Sequence, residues 1–309
     1  MIKIGLLTPT TGPRRAEGTE TERGVVLAVD EANGARAGHV SLVVRHDDGL
    51  WGTGVRQMTR LAFDDRVCGL VGGIDSASAH LIEQVAVKAR LLLLVPWSGD
   101  PSVTGAGVPW VFCCAPSDHL LAVGLVRNLA AAYPPGRVGV LALEDRSSRI
   151  AADTFLREAA KRGRAIPPTL CWRVPTPSSP ASLPALEPVL ARIATARPAA
   201  LVVFAPRSMT AAVKKASGRY SFGTVIDPLA HVPVAKSFRV RYHKRYGSAP
   251  GPDAALGYDA ARLLTEAAAS SVRNGQVSQD ALQSAVARIA YQGATGVIRF
   301  DRRGNRIGL

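Results

Sequence analysis

The chain has 309 residues, of which 47% are hydrophobic and 20% are charged. This length suits two domains of roughly 150 residues each, and the composition is that of a globular protein. No apolar run approaches the roughly 20 residues of a transmembrane helix, which argues against a membrane-spanning protein. The formal net charge of +14 suggests a nucleic-acid-binding protein, but the cations are spread over nearly every predicted helix. Without a clustered basic patch we expect no nucleic-acid partner.

The cysteines show no spacing typical of a metal site, and we expect neither a metal nor a cofactor. Cys68, Cys113 and Cys114 lie in apolar, strand-like segments, where a thiol behaves as a small buried hydrophobe. Met1 leads directly into a predicted strand, with no apolar leader before it. We therefore expect a cytoplasmic protein, or a periplasmic or extracellular one if its export signal lies outside this sequence.

Short apolar runs alternate with segments of 3.6-residue periodicity over the first half of the chain. This pattern is typical of a parallel sheet wrapped by helices. Strands are predicted at Ile2–Leu7, Ser41–Asp48, Val67–Gly73 and Leu91–Pro96. Helices are predicted at Thr19–Asn33, Gly54–Phe63 and Ser78–Ala89.

The alternation starts again after a strand-like segment at Val108–Cys114. Helices are predicted at 120–132, 150–162, 186–196 and 208–217, and strands at 137–143, 169–174 and 199–204. The Pro- and Ser-rich stretch 175–184 is predicted to be a surface loop. Further helices follow at 234–246, 252–269 and 278–290, with a strand at Val297–Asp301. We expect these late helices to cover the first unit, which makes the first domain discontinuous.

Nine segments, each weak alone, follow one another in the order seen in one protein family. They are IGLLTPTTG, GVVLAVDEANG, VVRHDDG, LAFDDRVCGLVGGIDSASA, LLLVPWSGDPSVT, VFCCAPSDH, FRVRYHKRYGSAP, GYDAARLL and ATGVIRFDRRGN. On these segments the chain resembles the type 1 periplasmic solute-binding proteins of the leucine/isoleucine/valine type. The resemblance spans most of the chain.

The resemblance implies a two-lobed α/β fold of the type 1 periplasmic-binding-protein class, each lobe a mostly parallel sheet flanked by helices. It places three hinge crossings near Asp118, Pro228 and Asp301. Lobe one is then expected at 1–119 and 229–298, and lobe two at 120–228 and 299–309. Lobe two is expected to be reduced, because a strand–helix unit and the acidic anchor that relatives use for a ligand's amino group are missing after residue 204.

Two loops are expected to form the binding site, because ligands of parallel α/β sheets collect at the carboxyl ends of strands. They contain Ser76, Ala77 and Ser78 after the third strand, and Trp97, Ser98 and Gly99 after the fourth. The resemblance implies that the Ser76 hydroxyl and the backbone of 97–99 hold a ligand carboxylate. The alternatives are helix capping by the serines and plain packing of Trp97.

Three further ligand contacts are implied by the resemblance: Glu17, Arg149 and Ala205. Glu17 lies where relatives often have an aromatic cover over the cleft, with a solvated turn as the alternative. Arg149 replaces an aromatic residue, so that stacking is lost and a cation able to pair with an acidic group is gained. A solvated arginine at the start of a helix is the alternative.

The expected function is binding of a small polar solute, such as an amino acid, amide or related carboxylate, in the cleft between the lobes. The chain would then be the substrate-binding component of an ABC-type importer, with the transporter permease as partner. The alternative is a cytoplasmic ligand sensor acting on a regulatory protein, or a degenerate paralogue of the same fold. An enzyme is a remote alternative, because the sequence has no GxSxG elbow, no GxGxxG opening its first helix and no P-loop.

Overall fold

Strands and helices alternate up to residue 95 of the computed structural model, which describes residues 1–36, 40–47, 53–176, 183–220 and 222–308. The elements are β1 (Ile2–Thr8), α1 (Arg15–Arg36), β2 (Val40–His46), α2 (Thr53–Thr59), β3 (Gly69–Gly72), α3 (Ser76–Ala89), β4 (Leu92–Val95) and β5 (Val111–Pro116). A π-helical turn at Arg60–Asp64 extends α2. The predicted alternation is therefore confirmed. The predicted strand end at Asp48 lies outside the described residues.

A second βα series occupies the middle of the chain. Its elements are α4 (Asp118–Ala132), β6 (Val138–Leu143), α5 (Arg146–Lys161), β7 (Cys171–Val174), α6 (Leu183–Ala196), β8 (Ala200–Phe204), α7 (Arg207–Tyr220) and β9 (Thr224–Ile226). The sequence did not predict β9, which supplies a fourth strand after α7. Most of the predicted loop 175–184 lies outside the described residues.

Helices dominate the last part of the chain, as predicted. The elements are α8 (Lys236–Tyr246), α9 (Pro252–Ser270), β10 (Val272–Arg273), β11 (Gln276–Val277), α10 (Gln279–Ala287), β12 (Tyr291–Gly293), β13 (Gly296–Ile298) and β14 (Asn305–Arg306). The strand predicted at Val297–Asp301 is wrong in its second half, because β13 ends at Ile298 and pairs with β12 in a hairpin.

Two compact units divide the chain. Unit 1 comprises Met1–Thr11, Glu17–Ser117 and Val232–Leu309, and unit 2 comprises Gly12–Ala16 and Asp118–His231. The assignment of residues 299–309 to lobe two needs correction. β14 pairs with β5 of unit 1 in parallel, and buried Arg306 donates to the Cys114 carbonyl oxygen at 3.1 Å. These contacts keep the end of the described chain in unit 1.

Unit 1 is built on a six-stranded parallel sheet in the order β14-β5-β4-β3-β1-β2. Its central strands are apolar on both faces, as parallel strands covered by helices must be. In β4, Leu92 and Leu94 enter the core beneath α1 and α9. Leu93 and Val95 enter the opposite core beneath α2 and α3.

Unit 2 has a four-stranded parallel sheet in the order β7-β6-β8-β9. It also has an apolar core on each face. Leu141 and Leu143 of β6 pack with α6 and α7, whereas Val140 and Ala142 pack with α4 and α5. In each unit the carboxyl ends of the parallel strands meet at one edge.

Candidate ligand-binding site

The strand order of unit 1 reverses at β1. The chain leaves β1 for β2 on one side and returns to β3 on the other side. Such a switch point leaves a crevice at the carboxyl ends of the two strands, because the loops that follow them run in opposite directions. The loops after β1 and β3 line this crevice, and the loop after β4 is the next one along the edge.

Two buried serines join the loops after β3 and β4. Ser76 is the first residue of α3 and is 2% exposed, and Ser98 follows β4 and is 4% exposed. Their Oγ atoms lie 3.1 Å apart. A hydroxyl can donate one hydrogen bond and accept two, so this pair can still address a third polar group. The structure thus brings together the two loops that the sequence predicts as neighbours.

Ser78 belongs to the capping box at the start of α3. The Asp75 carboxylate accepts from the Ser78 backbone N–H at 2.8 Å, and Ser78 Oγ accepts from the Asp75 N–H at 3.2 Å. These two bonds form a capping box. The capping alternative therefore accounts for the Ser78 side chain. Ala77, between the two serines, is exposed.

Trp97 packs beneath the loops rather than forming an open pocket wall. Its indole is 6% exposed, and Nε1–H donates to the Thr21 hydroxyl of α1 at 2.9 Å. A buried indole needs such an acceptor for its polar N–H. This geometry favours the packing alternative for the Trp97 side chain, whereas the backbone groups of Trp97, Ser98 and Gly99 stay predicted ligand contacts.

Asp100 organises the loop after β4 and was missed in the sequence. Its carboxylate is 2% exposed, and Oδ1 accepts from the backbone N–H and the hydroxyl of Ser102 at 2.9 and 2.6 Å. The Asp100 N–H in turn donates to Ser98 Oγ at 3.3 Å. This local Asp-to-Ser bonding holds Ser98 in place. The D-x-S spacing is the only sequence signal for it, and that spacing is common in turns.

His80 of α3 joins this network from the other side. Its Nε2 lies 3.0 Å from Ser102 Oγ, and its Nδ1 lies 3.3 Å from Glu83 Oε2. Burial raises the pKa of Glu83 above its ordinary value, while the neighbouring His80 works against that shift. A hydrogen-bonded path therefore runs from the Ser76–Ser98 pair through Asp100 and Ser102 to the imidazole.

Glu17 lies in the first turn of α1 and is 2% exposed. The solvated-turn alternative is therefore wrong, because α1 begins at Arg15, four residues before its predicted start. The helix approaches its own preceding loop closely at Gly18, where a Cβ would lie 2.0 Å from the Pro9 carbonyl oxygen. A contact between Glu17 and a ligand stays a prediction.

The strand order of unit 2 reverses at β6, so its crevice lies between the loops after β6 and β8. Arg149 is an exposed residue in the first turn of α5, and Ala205 directly follows β8. Both residues stand at the carboxyl edge of the sheet, where the sequence places them. Their contact with a ligand stays a prediction.

Metal ligands and reactive thiols do not define this edge. Among the described residues, no three His, Cys, Asp or Glu side chains are grouped so that they could hold a metal ion. Burial raises the pKa of Cys114 to about 12, which keeps that thiol protonated and inert. No helix within the described ranges is long and apolar enough to cross a bilayer.

A family model for periplasmic binding proteins matches residues 1–223, which is most of the chain. The chain belongs to the periplasmic binding protein family. Its resemblance to the leucine/isoleucine/valine branch is confirmed by a curated relative, the Leu/Ile/Val-binding protein BraC3 of Rhizobium johnstonii. The two are 27% identical over 157 residues, which cover 50% of this chain and 42% of that protein. The match thus spans less than half of the curated relative's length.

Solved structures share the fold of this periplasmic binding protein. A leucine-binding protein from Thermotoga maritima superposes with a TM-score of 0.81 at 20% identity, covering 99% of this chain and 93% of that one. A solute-binding protein of an ABC transporter from Rhodopseudomonas palustris, in complex with 3,4-dihydroxybenzoic acid, gives 0.84 at 20% identity, covering 99% and 90%. The substrate-binding protein LivJ of Streptococcus pneumoniae, in complex with isoleucine, gives 0.80 at 21% identity, covering 99% and 93%. Family and fold are therefore those of substrate-binding proteins rather than of an enzyme class.

Proposed function

We propose that this chain binds a small polar solute that carries a carboxylate, as the substrate-binding component of an ABC-type importer. The buried Ser76–Ser98 pair at the switch point of unit 1 is the observation that carries the proposal. Extracytoplasmic placement and a transporter permease as partner are parts of the same proposal. They are supported by family membership and by the transporter proteins among its structural relatives.

The chemistry of the serine pair suits a carboxylate. On binding, two hydroxyls 3.1 Å apart can exchange their mutual hydrogen bond for one hydrogen bond each to a carboxylate oxygen. The N–H of Ala77 lies at the start of α3, before the hydrogen bonds of the helix begin, where its positive end favours an anion. Hydrogen bonds to a charged acceptor are worth about 1.5–3 kcal/mol each. Such contacts fix the position of the carboxylate and leave the remainder of the solute to other residues.

A thermal-shift panel of amino acids, amides and small carboxylic acids tests the proposal. At a concentration about a thousand times its Kd, a ligand stabilises the folded state by roughly 4 kcal/mol, which raises the melting temperature measurably. We expect at least one acid in the panel to do so. We also expect Ser76→Ala and Ser98→Ala to weaken its binding by about tenfold each, since each removes one charged hydrogen bond.

Ser78→Ala is the matched control. It removes a hydroxyl from the same helix turn and with it the capping-box bond from the Asp75 N–H to Ser78 Oγ, which costs about 1 kcal/mol of stability. It leaves the Ser76–Ser98 pair in place, so the shift caused by ligand is expected to stay unchanged. The assignment would be refuted if no compound stabilised the protein. It would also be refuted if the Kd of the ligand were the same in Ser76→Ala, Ser98→Ala and Ser78→Ala.

A further inference from the structure

A broad cleft opens at the amino edge of the unit 1 sheet, the edge opposite the Ser76–Ser98 pair. Its volume is about 620 Å³, within the range of about 300–1,000 Å³ that is usual for small-molecule sites. The start of β1, the segment before β3, the end of α9, the β10–β11 hairpin and the start of α10 line it. We call it the amino-edge cleft, formed by segments 1–3 and 66–68 and by residues between 269 and 279.

Hydrogen bonds between these segments hold the cleft in shape. The Cys68 N–H donates to the Lys3 carbonyl oxygen at 2.7 Å, and Gln279 Nε2 donates to the Cys68 carbonyl oxygen at 2.9 Å. The Ser278 N–H donates to the Ser271 carbonyl oxygen at 3.0 Å and closes the base of the hairpin. The cleft is therefore formed before any ligand enters it, as small-molecule sites usually are.

Aliphatic side chains supply much of the wall of the cleft. Val272 and Val277 are a cross-strand pair of the hairpin, whose Asn274–Gly275 turn has the positive φ angles, 52° and 78°, that a type I′ turn requires. Val272 is 36% exposed, whereas Ile2 and Val67 line the cleft as buried residues. Partly exposed aliphatic groups around a concave surface indicate a place where the apolar part of a ligand binds.

The charged side chains of the cleft are both cations. Lys3 and Arg66 line it, and no acidic residue of the described ranges does. Both side chains are exposed. The Lys3 ammonium donates to the Asp65 carbonyl oxygen at 2.9 Å, which uses one of its three hydrogens and leaves two for other acceptors.

Two acids next to the cleft are paired with arginines outside it. The Asp65 carboxylate accepts from Arg45 Nε at 2.6 Å and from Arg45 Nη2 at 3.0 Å, and these hydrogen bonds lower the pKa of Asp65. Asp280, which follows Gln279, accepts from Arg90 Nη2 at 2.8 Å. The cations of the cleft therefore keep a net positive charge there, and such a surface attracts anions.

We propose that the amino-edge cleft is a second binding site, which takes a small amphiphilic anion: a carboxylate attached to an acyl chain or an aromatic ring. The carboxylate pairs with Arg66 and Lys3, since a guanidinium matches a carboxylate in bidentate geometry. The apolar part packs against Val272 and Val277 and is thereby removed from water. This site is separate from the serine pair and does not rest on the proposed function.

Cys68 reports whether the cleft is occupied, because it lines the cleft and is half-buried. Burial raises the pKa of its thiol to about 11, so that alkylation by iodoacetamide at mildly alkaline pH is slow enough to follow. Peptide mass spectrometry on the alkylated full chain measures the rate at each cysteine. We expect saturating octanoate, kept below its micelle-forming concentration, to slow the alkylation of Cys68 at least about threefold.

Cys171 is the internal control in the same sample. It is half-buried in unit 2, and burial raises the pKa of its thiol as well. We expect octanoate to leave its rate of alkylation unchanged. Because octanoate that unfolded the protein would speed the reaction of both thiols, the pair separates binding from denaturation.

Compounds with the same chain and a different head group test the charge requirement. We expect octan-1-ol to need at least about tenfold more compound than octanoate for half-protection of Cys68, since it lacks the charged hydrogen bonds. Octylammonium is expected not to protect, because its cation meets Lys3 and Arg66.

Arg66→Gln and Arg197→Gln form a matched pair of variants. Both remove an exposed arginine with a left-handed backbone, at φ 54° and 46°, but Arg197 lies in unit 2. We expect Arg66→Gln to raise the octanoate concentration for half-protection of Cys68 about tenfold, whereas Arg197→Gln leaves it unchanged.

Three outcomes would overturn the inference. They are no slowing of Cys68 by octanoate, equal protection by octanoate and octan-1-ol, and loss of protection in Ser98→Ala, which would mean that octanoate acts from the serine pair. All three leave the proposed function to be judged by its own thermal-shift panel. Protection that is unchanged in Ser98→Ala and weakened in Arg66→Gln supports a second site.

Discussion

Two glycines of α1 differ in what faces their Cα atoms. A Cβ on Gly24 would lie 1.9 Å from the Ala254 carbonyl oxygen, because α1 and α9 cross there with their backbones in close approach. Gly34 has nothing within 4 Å and is exposed. The same substitution therefore has opposite consequences at two positions in one helix.

We expect Gly24→Ala to destabilise the protein by about 3 kcal/mol or more, since the backbone of α9 cannot yield without disturbing the core. Gly34→Ala is expected to stabilise it by roughly 0.5–1 kcal/mol through helix propensity. Urea unfolding at constant m-value measures both changes. Equal shifts of the midpoint in the two variants would contradict the close helix crossing.

The candidate site was predictable from the sequence in part. Ser76 and Ser98 were found because each follows a recognisable strand, and parallel strands end at one edge. The packing of Trp97 against α1 could not be predicted, since a sequence does not reveal that Thr21 Oγ1 lies 2.9 Å from the indole nitrogen. Asp100 was missed for a related reason. Asp100 acts through hydrogen bonds across a turn, and no periodicity in the sequence predicts such bonds.

At the scale of elements, Glu158 ties the end of α5 to the start of α4. Its carboxylate accepts from Lys161 at 2.9 Å and from Arg162, and it lies 3.4 Å from His119 Nδ1 of α4. The hydrogen bonds from Lys161 and Arg162 lower the pKa of Glu158 from its ordinary 4.5 to about 2. The ionised form is therefore favoured in the folded state over the unfolded chain.

A carboxyl whose pKa is lowered on folding stabilises the protein above its unfolded value and loses that effect as pH falls. We expect Glu158→Gln to melt below the parent protein at pH 7. The gap should close as the pH falls from about 4.5 to about 2, where the parent carboxylate also becomes neutral. Melting curves across this range measure it. Glu187→Gln, which removes an exposed pair with Arg219, serves as control and should have little effect at any pH.

The length of an element decided how well it could be predicted. Helices such as α3 and α9 span several turns, so their apolar positions repeat often enough to be recognised. Strands β9 to β13 have two or three residues each, which is too short for any alternation to appear. Their positions are set by partners distant in the sequence. β9, for instance, is a strand because Val225 pairs with Leu201 of β8.

At the scale of the whole molecule, the first domain was expected to be discontinuous, and unit 1 consists of separate segments of the chain. The expected C-terminal limit of the first domain, residue 298, differs from that of unit 1. The sequence pattern of late helices assigned 229–298 to lobe one, because their apolar faces require a sheet to cover, and the corresponding segment of unit 1 begins at Val232. The last residues carry no such pattern. Their place is fixed by the pairing of β14 with β5 and by Arg306, a polar side chain that is 1% exposed.

Arg306 secures the end of the chain through Thr295 and Asp259. Its Nη1 donates to Thr295 Oγ1 at 2.9 Å, and its Nη2 donates to the Thr295 carbonyl oxygen at 2.7 Å. Thr295 Oγ1 in turn donates to the Asp259 carboxylate at 2.6 Å. Burial raises the pKa of Asp259, against which the hydrogen bonds from Thr295 and Ala294 and then the charge of Arg306 act, and burial lowers the pKa of Arg306, against which the charge of Asp259 acts. Removing one of them leaves an uncompensated buried charge.

Arg306→Met is therefore expected to cost about 3–5 kcal/mol, and to act on unit 1 alone. Hydrogen exchange followed by mass spectrometry should show faster exchange in β5, which pairs with β14, and in α9, which carries Asp259. Strands β6 and β8 should keep their protection, because the cores of unit 2 contain none of these residues. Arg303→Met, which removes an exposed arginine three residues away, is the control and should change neither unit. Equal loss of protection in both units would mean that the two unfold as one, and no loss in β5 would mean that Arg306 does not hold the end of the chain.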